Sequence, residues 1–375
     1  VAYAIDEHPS GTQDVFEGQD AIVFYAIRLG EDVAQEDPEE NLSDHNIYWL
    51  GTTSGPVMAD RTLQPGFLTD DTANAWFSIT RRFADDTWFR EETPEGISDF
   101  YYHNPAYRLA VDFPFEMEAV RPSSSVSLSA ELHGALRAEK RSMEVRLDNA
   151  QANVVLNPNL PVDYTSVVNF QSNIPAASFV AGPNTFHFHR VDKNEKTQVQ
   201  LNWLEVSYQA LYRARGDMLA FDTASLTGDT SVTVTGLGSD TDQLWLFDVS
   251  DPFAPVNCLL SSGLFADYGG SVALTFRDAI ASKKQYILVP EGRMIDVPAG
   301  DVALDAASAI IGDLTAEAGV DVLVVSHKDF LDGLQGWLRY RRAQGYRMLA
   351  VDVEDVFDEF NGGVPSTRGI DRFVR

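Results

Sequence analysis

The alternation of apolar and polar positions divides the chain into a long β-rich part and a short α/β part. Residues 126–132 (VSLSAEL) and 143–147 alternate with a period of two, which is typical of strands with one face in a core. Short apolar runs between polar loops predict further strands throughout the first 290 residues. These strands are expected at 21–29, 46–50, 185–191, 201–208, 218–221, 231–235, 244–249, 272–276 and 286–289.

A different pattern begins near residue 321. Residues 322–325 (VLVV) are an uninterrupted apolar run of the kind found in parallel strands buried on both faces. A helix is expected next, with Asp329 as its cap, Gly345 as its end and apolar residues at helical spacing, namely Leu331, Leu334, Trp337 and Leu338. Residues 348–353 form a second apolar run. Strand, helix and strand together predict one βαβ unit with a right-handed crossover.

These patterns predict a mainly β protein, built from antiparallel β-sandwich domains, that leads into the start of an α/β domain with a parallel sheet. Several antiparallel strands separated by turn signals indicate a β-sandwich. Two parallel strands are too few for a complete open sheet, so we expect the chain to be an internal piece of a longer protein. The expected regions are a β-rich N-terminal region (1–121), a β-sandwich (122–210), a further β-rich domain or continuation of the sandwich (211–300), a linker (301–320) and an incomplete α/β domain (321–375).

Charge and cysteine content narrow the function. The 375 residues include 28 Lys and Arg but 56 Asp and Glu, a formal net charge of −28, which disfavours nucleic acid as a partner. No apolar run reaches the roughly 18 residues of a membrane span. Cys258 is the single cysteine, so no internal disulfide forms, and we expect it to be buried and unreactive rather than a nucleophile.

The C-terminal segments carry a resemblance to a known family. VLVVSHKDF (322–330), YRRAQGY (340–346), VDVEDVFDEFNGG (351–363) and VPSTRGIDRF (364–373) resemble the start of the catalytic domain of gingipain-like cysteine peptidases, family C25 of the caspase clan. The resemblance implies a caspase-like α/β fold that hydrolyses peptide bonds with a Cys/His dyad on later strands. It therefore implies no catalytic residue in this chain, no required cofactor, and a role for His327 as a neighbour of the site.

Upstream segments resemble other parts of the same family. LWLFDVSDP (244–252) is similar to a strand-and-turn signature of these proteins, and NIYWL (46–50) to a segment upstream of the catalytic domain. VRLDNAQ (145–151), AGPNTFHF (181–188) and NWLEVSY (202–208) resemble jelly-roll modules of the galactose-binding type. The resemblance implies an extracellular or cell-surface protein whose partner is a protein or peptide substrate. A glycan is the alternative partner, for the β-sandwich as a binding module.

Three groups of side chains are candidates for metal binding. His187 and His189 lie two residues apart on one strand face and could share Zn²⁺, but no third ligand is evident nearby in sequence, so hydrogen-bonded histidines are the favoured interpretation. Asp240 and Asp242 could help to hold a structural Ca²⁺, although the Gly and distal Glu of an EF-type loop are missing. The acidic residues after the second α/β strand fit a helix N-terminus or a substrate or Ca²⁺ site in the full protein; they are Asp352, Asp355, Asp358 and Glu359.

Three functional interpretations follow. The first is a fragment of a secreted gingipain-like cysteine endopeptidase, inactive by itself. The second is a cell-surface β-sandwich that binds glycan or protein, and the third is a sortase-like component of type IX secretion. A His and a Cys at the ends of later strands would favour the peptidase.

Overall fold

The computed structural model describes residues 3–6, 21–26, 46–50, 57–84, 88–89, 101–102, 110–135, 142–162, 167–191, 198–304 and 319–375. The chain forms two compact units. One comprises Val1–Met58, Pro252–Ala254 and Ile295–Arg375, and the other comprises Ala59–Asp251 and Pro255–Met294. Most of the predicted linker, at 305–318, lies outside the described residues, as do positions 27–29 of the first predicted strand.

The elements are numbered in chain order over the described residues. The first are β1 (Tyr3–Asp6), β2 (Ala21–Phe24), β3 (Ala59–Thr62), β4 (Gln64–Pro65) and α1 (Asp70–Ala73). They are followed by β5 (Trp76–Phe83), β6 (Trp88–Phe89), β7 (Tyr101–Tyr102), β8 (Ala110–Met117), β9 (Ser125–Ala135), β10 (Ser142–Asn149), β11 (Asn153–Pro161), β12 (Val167–Pro175), β13 (Gly182–Arg190) and β14 (Gln198–Leu211). The remaining strands of the β-rich part are β15 (Leu219–Asp222), β16 (Gly228–Leu237), β17 (Leu244–Asp248), β18 (Val256–Leu259), β19 (Phe265–Tyr268), β20 (Ser271–Ile280) and β21 (Gln285–Pro290). The C-terminal elements are β22 (Val322–Ser326), α2 (Lys328–Ala343), β23 (Met348–Asp352), α3 (Val353–Asn361) and α4 (Thr367–Val374).

Two four-stranded antiparallel sheets form the first part of the larger unit. Their strand orders are β11-β10-β13-β8 and β12-β9-β14-β5. In β10, Met143, Val145 and Leu147 are buried while the residues between them are partly exposed, so each strand turns one face to the core. The buried faces of both sheets meet in one apolar cluster, in which Phe115 stacks on Phe186 with ring centroids 4.8 Å apart.

The sandwich takes strands from outside the range 122–210 that the turn signals indicated. Strand β5 pairs with β14, and β8 pairs with β13 in the register that places Asp112 opposite His187. Pro114 is tolerated in β8 because this strand lies at the edge of its sheet. Six of the eight strands, β9 to β14, thus lie in or at the end of this range, and the sequence patterns indicated four of them, β9, β10, β13 and β14.

The second part of the larger unit is also antiparallel for the most part. Its sheets have the orders β15-β21-β17-β18-β3 and β16-β20-β19, with β4 pairing to β20 and with β3 parallel to β18. One apolar cluster runs through both parts of the unit, and the Tyr212 ring, stacked on Phe77, also contacts Phe221 of β15. Residues 211–290 thus share a core with the first two sheets.

The smaller unit contains the predicted βαβ motif. Strands β22 and β23 pair in parallel from Val322↔Met348 to Ser326↔Asp352, and α2 connects them. The prediction of Asp329 as the helix cap is wrong: the cap is His327, whose Nδ1 accepts a hydrogen bond from the backbone N–H of Asp329. Gly345 follows α2 with φ +96°, as expected for the residue that ends it.

Two N-terminal segments belong to the smaller unit as well. Strands β1 and β2 pair in antiparallel, but residues 46–50 are not a strand, contrary to prediction. Instead, Trp49 Nε1 donates a hydrogen bond to the Gly362 carbonyl (3.0 Å). The Ile47 side chain packs so close to Gly363 that a Cβ at that position would lie 2.8 Å from Ile47 Cγ2. These contacts with the turn after α3 replace the ladder hydrogen bonds of a strand.

The fold class is confirmed: the protein is mainly antiparallel β, followed by a small parallel sheet with helices near the C-terminus. No helix among the described residues has both the length and the apolar composition that a membrane span requires.

Candidate functional site

The first candidate site lies at the C-terminal edge of the β22/β23 pair. Both strands end here, with Ser326 opposite Asp352, and in open α/β sheets ligands bind at this edge. His327 follows β22, and its Nε2 lies 3.4 Å from Glu354 Oε1 while its Nδ1 caps α2. Both ring nitrogens therefore already have protein partners.

Charged side chains surround His327. Lys328 Nζ lies 2.5 Å from Glu354 Oε2, and this hydrogen bond is the main reason that the pKa of Glu354 lies below its usual value. Asp352 accepts a hydrogen bond from the backbone N–H of Glu354 and thereby caps α3. Of the acidic residues after β23, Asp352 thus acts as a helix cap, and Asp355 lies in the first turn of α3. The edge is polar and charged, and the single cysteine of the chain, Cys258, belongs to the other unit.

Cys258 is placed in an environment that keeps it a thiol. It lies on β18 with 1% of its surface exposed, and Arg61 Nη2 is 3.2 Å from its Sγ. Burial raises the pKa of Cys258 to about 11, and this outweighs the opposite effect of the nearby guanidinium. The expectation of a buried, unreactive cysteine is consistent with this geometry.

A group of three side chains on the outer face of the sheet β11-β10-β13-β8 is the one set of metal-ligating type found among the described residues. His187 Nδ1 and His189 Nε2 lie 2.7 Å and 2.8 Å from the same atom, Asp112 Oδ1. The sequence analysis found no third partner for the two histidines, and the structure corrects this. Asp112 is 75 residues away in sequence, but the β8/β13 register brings it opposite His187.

Asp240 and Asp242 are both exposed in the turn between β16 and β17. Within the part of the chain that the structure describes, they do not join a third carboxylate, histidine or cysteine in a group of metal-ligating type.

The outer face of the sheet β12-β9-β14-β5 carries a polar cleft of about 700 Å³. Its lining is rich in hydroxyl and amide groups, among them Ser78, Thr80, Asn173, Ser207 and Gln209. Arg121 donates a hydrogen bond to Gln209 and its guanidinium lies over the Trp76 ring, 4.7 Å from the centroid. Sequence reasoning missed this cleft because β5 and β12 were not recognised as strands.

Comparison with known proteins identifies the C-terminal part. Residues 315–375, which contain the βαβ motif and the His327 edge, match the family model described as Peptidase family C25. The resemblance to the gingipain-like family is confirmed. A search of curated proteins found no match.

One solved structure is similar in fold over most of the chain. The crystal structure of dimeric latent PorU from Porphyromonas gingivalis matches 85% of this chain with a TM-score of 0.56 and 15% identity. At that identity the similarity shows the fold alone. The chain spans 29% of the PorU chain that it matches.

Two carbohydrate-binding modules also match part of the chain. A family 35 module from Clostridium thermocellum matches 34% of this chain and 90% of its own, with a TM-score of 0.22 and 14% identity. The CBM35 from Cellvibrio japonicus Abf62 matches 35% of this chain and 98% of its own, with a TM-score of 0.25 and 13% identity.

Proposed function

We propose that this chain is part of a gingipain-like cysteine endopeptidase that acts on protein or peptide substrates outside the cell or at its surface. The observation that carries the proposal is the family C25 match of residues 315–375, which coincides with the parallel strand pair and its polar C-terminal edge. In this proposal the Cys/His dyad lies on later strands of the same sheet. The segment 1–375 by itself is inactive, because its one cysteine is a buried thiol.

His327 acts in this proposal as part of the rim of the site. A general base needs a nitrogen that is free to take a proton from the nucleophile. Here Nδ1 accepts from the Asp329 N–H and Nε2 faces Glu354. Substituting His327→Ala in the active parent should therefore lower kcat/KM by less than tenfold, whereas removal of a dyad member typically costs more than a thousandfold.

The direct test compares two polypeptides. The segment 1–375 and the same segment extended by about 250 residues of the parent protein would be assayed on a peptide library, with and without a thiol-reactive inhibitor. We expect hydrolysis, sensitive to the inhibitor, by the longer protein alone. A parent sequence without a His and a Cys at later strand ends, or hydrolysis by 1–375 that Cys258→Ala abolishes, would contradict the proposal.

A second proposed function is glycan binding, supported by the polar cleft on the β12-β9-β14-β5 face. Hydroxyl and amide groups such as those of Thr80, Asn173 and Gln209 can hydrogen-bond sugar hydroxyls. The Trp76 ring lies under Arg121, which donates a hydrogen bond to Gln209. A glycan array would identify ligands for the segment 1–375. Asn173→Ala and Gln209→Ala should each weaken such binding, while Thr185→Ala on the other sheet should leave it unchanged.

A third proposed function is that of a sortase-like component of type IX secretion. The fold similarity to PorU over 85% of the chain supports this candidate. A sortase passes the acyl group of a covalent intermediate to an amine, whereas a peptidase passes it to water. Product analysis of the extended protein with added amine acceptors distinguishes the two: peptide–amine conjugates favour the sortase, and free carboxylates favour the endopeptidase.

A further inference from the structure

Two histidines and an aspartate converge on the solvent-facing side of the sheet β11-β10-β13-β8. His187 and His189 lie two residues apart on β13, and Asp112 lies on the neighbouring strand β8. One ligand atom from each residue lies within 4.8 Å of the other two. We propose that Asp112, His187 and His189 form a binding site for a divalent first-row transition metal ion of the Zn²⁺ type.

The distances fit an ion with a small movement of one side chain. Ligand atoms around a tetrahedral ion with bonds of about 2.0 Å are about 3.3 Å apart. The two nitrogens lie 2.7 Å and 2.8 Å from Asp112 Oδ1, so the carboxylate needs to withdraw by about half an ångström to admit an ion at that separation. Asp112 is free to do so, because 61% of its side chain is exposed.

The second nitrogen of His187 supplies an independent observation. Among the described residues, Nε2 is buried without a hydrogen-bond partner, and Asp148 Oδ2 lies 3.6 Å from it. If Nδ1 binds an ion, the ring proton belongs on Nε2, where it faces Asp148. Metal-binding histidines almost always direct their other N–H at a carboxylate or carbonyl in this way. An ion thus converts an unpaired buried nitrogen into a donor that is aimed at an acceptor.

The backbone holds the ligands in place without help from the ion. His187 is the register partner of Asp112, and the residues that flank it on β13, Phe186 and Phe188, are fully buried on the core side. A slip of one residue would turn these rings out to solvent, so the register is strongly specified. The ligand positions are therefore set before any ion binds.

Neighbouring charges also favour a cation. Strand β10 contributes Glu144, Arg146 and Asp148, and Glu144 lies 3.8 Å from the Arg146 guanidinium. Strand β8 adds Asp112 and Glu116, and Glu116 is paired with Arg215, so this outer face has four carboxylates, two of which are paired with a guanidinium. The remaining two negative charges match one divalent ion. Two imidazoles and one carboxylate suit Zn²⁺ or its first-row neighbours, whereas Ca²⁺ and Mg²⁺ prefer oxygen ligands throughout.

Isothermal titration calorimetry of the untagged, chelator-treated segment 1–375 with ZnCl₂ tests the site, and a titration with CaCl₂ serves as the comparison. We expect one Zn²⁺ per chain and no binding of Ca²⁺ at the same concentrations. His187→Ala, His189→Ala and Asp112→Asn should each raise the Kd for Zn²⁺ by at least tenfold. Thr185→Ala, which changes the same face of the same strand two residues before His187, should leave the Kd unchanged.

Co²⁺ provides a second readout that does not depend on heat of binding. Its visible absorption should show nitrogen ligation in the wild-type protein and lose that signature in His189→Ala, with far-UV circular dichroism as the control for folding. Failure of the wild-type protein to bind Zn²⁺ stoichiometrically would overturn the proposal. Equal Zn²⁺ affinity in the wild type and in all three ligand variants would overturn it too, because the ion would then bind elsewhere. The inference does not depend on the proposed peptidase function.

Discussion

Burial and the Arg61 guanidinium shift the pKa of the Cys258 thiol in opposite directions. Burial disfavours the thiolate and the cation favours it, and burial has the larger effect, so the pKa rises to about 11. At pH 8 this pKa leaves about one thiol in a thousand ionised, and Sγ is also shielded from reagents. We expect iodoacetamide to label the native protein at least a hundredfold more slowly than the guanidinium-unfolded protein. Equal rates in the two states would show that the thiol is exposed.

Asp278 is a partly buried carboxylate whose charge is stabilised by its neighbours. Burial pushes its pKa up, but hydrogen bonds from Lys284, at 2.7 Å, and from Tyr286 outweigh this, so the pKa of Asp278 lies below its usual value. A carboxyl group whose pKa is lower in the folded state stabilises the fold above its unfolded pKa of about 3.9, and this contribution disappears as the pH falls through the folded value.

The corresponding prediction concerns Asp278→Asn. At pH 7 the substitution should lower the free energy of unfolding by about 2 kcal/mol, since Lys284 loses its partner. In urea titrations the difference from the wild type should narrow as the pH falls below about 4. Asp229→Asn, which removes an exposed pair with Arg277, is the control and should cost less than about 1 kcal/mol at either pH. A difference for Asp278→Asn that persists at low pH would exclude the electrostatic explanation.

The candidate metal group shows the limit of sequence reasoning at this scale. A spacing of two on a predicted strand was enough to place His187 and His189 on one face. It could not supply Asp112, because a cross-strand neighbour depends on the pairing register, and the β8/β13 register joins residues 75 positions apart. Strict alternation in β8 (AVDFPFEM) was the available signal, since it marks Asp112 as an outward-facing polar residue between buried neighbours.

At the level of elements, prediction succeeded where apolar residues dominate. Strands β9, β10, β13, β14 and β20 and the βαβ motif all lie where alternation or continuous apolar runs indicated them. Strands β11 and β12 were missed because they flank their sheets at the edge, are partly exposed and contain several Asn and Pro residues, which weakens the period-two signal. The prediction of a strand at 46–50 was wrong for the opposite reason. The apolar side chains there contact the turn after α3 and do not face a sheet core.

The short strand β4 depends on a glycine that follows it. A Cβ on Gly66 would lie 2.8 Å from Thr275 Cγ2 and 2.9 Å from the Phe276 carbonyl oxygen, closer than real contacts allow. We expect Gly66→Ala to lower the free energy of unfolding by about 1–3 kcal/mol, because β20 must shift to admit the methyl group. Gly263→Ala is the matched control, since no atom of the described residues lies within 4 Å of its Cβ position, and it should be close to neutral. If chemical denaturation showed equal losses in the free energy of unfolding for the two substitutions, the close approach of Gly66 to β20 would be ruled out.

At the scale of the whole molecule, the first two sheets of the larger unit depend on distant parts of the chain. Strands β5 and β8 come from residues before 122, and the apolar cluster continues into residues 211–290. A polypeptide of residues 122–210 lacks both strands and would leave rings such as Phe186 uncovered. We expect it to show no cooperative unfolding transition, whereas a polypeptide of residues 57–294 should unfold cooperatively. A folded, monomeric 122–210 would contradict this organisation.

The hydrogen bond between Trp49 and Gly362 has a consequence for biosynthesis. Its two residues are 313 positions apart in sequence, and the strands of the larger unit are made in the interval between them. At about 5–20 residues per second, a ribosome needs roughly 15–60 s to travel from one to the other. During that time the emerged Trp49 segment has no docking surface, while the β-sheets behind it can already form. Synthesis of the smaller unit thus starts before that of the larger unit and continues after it.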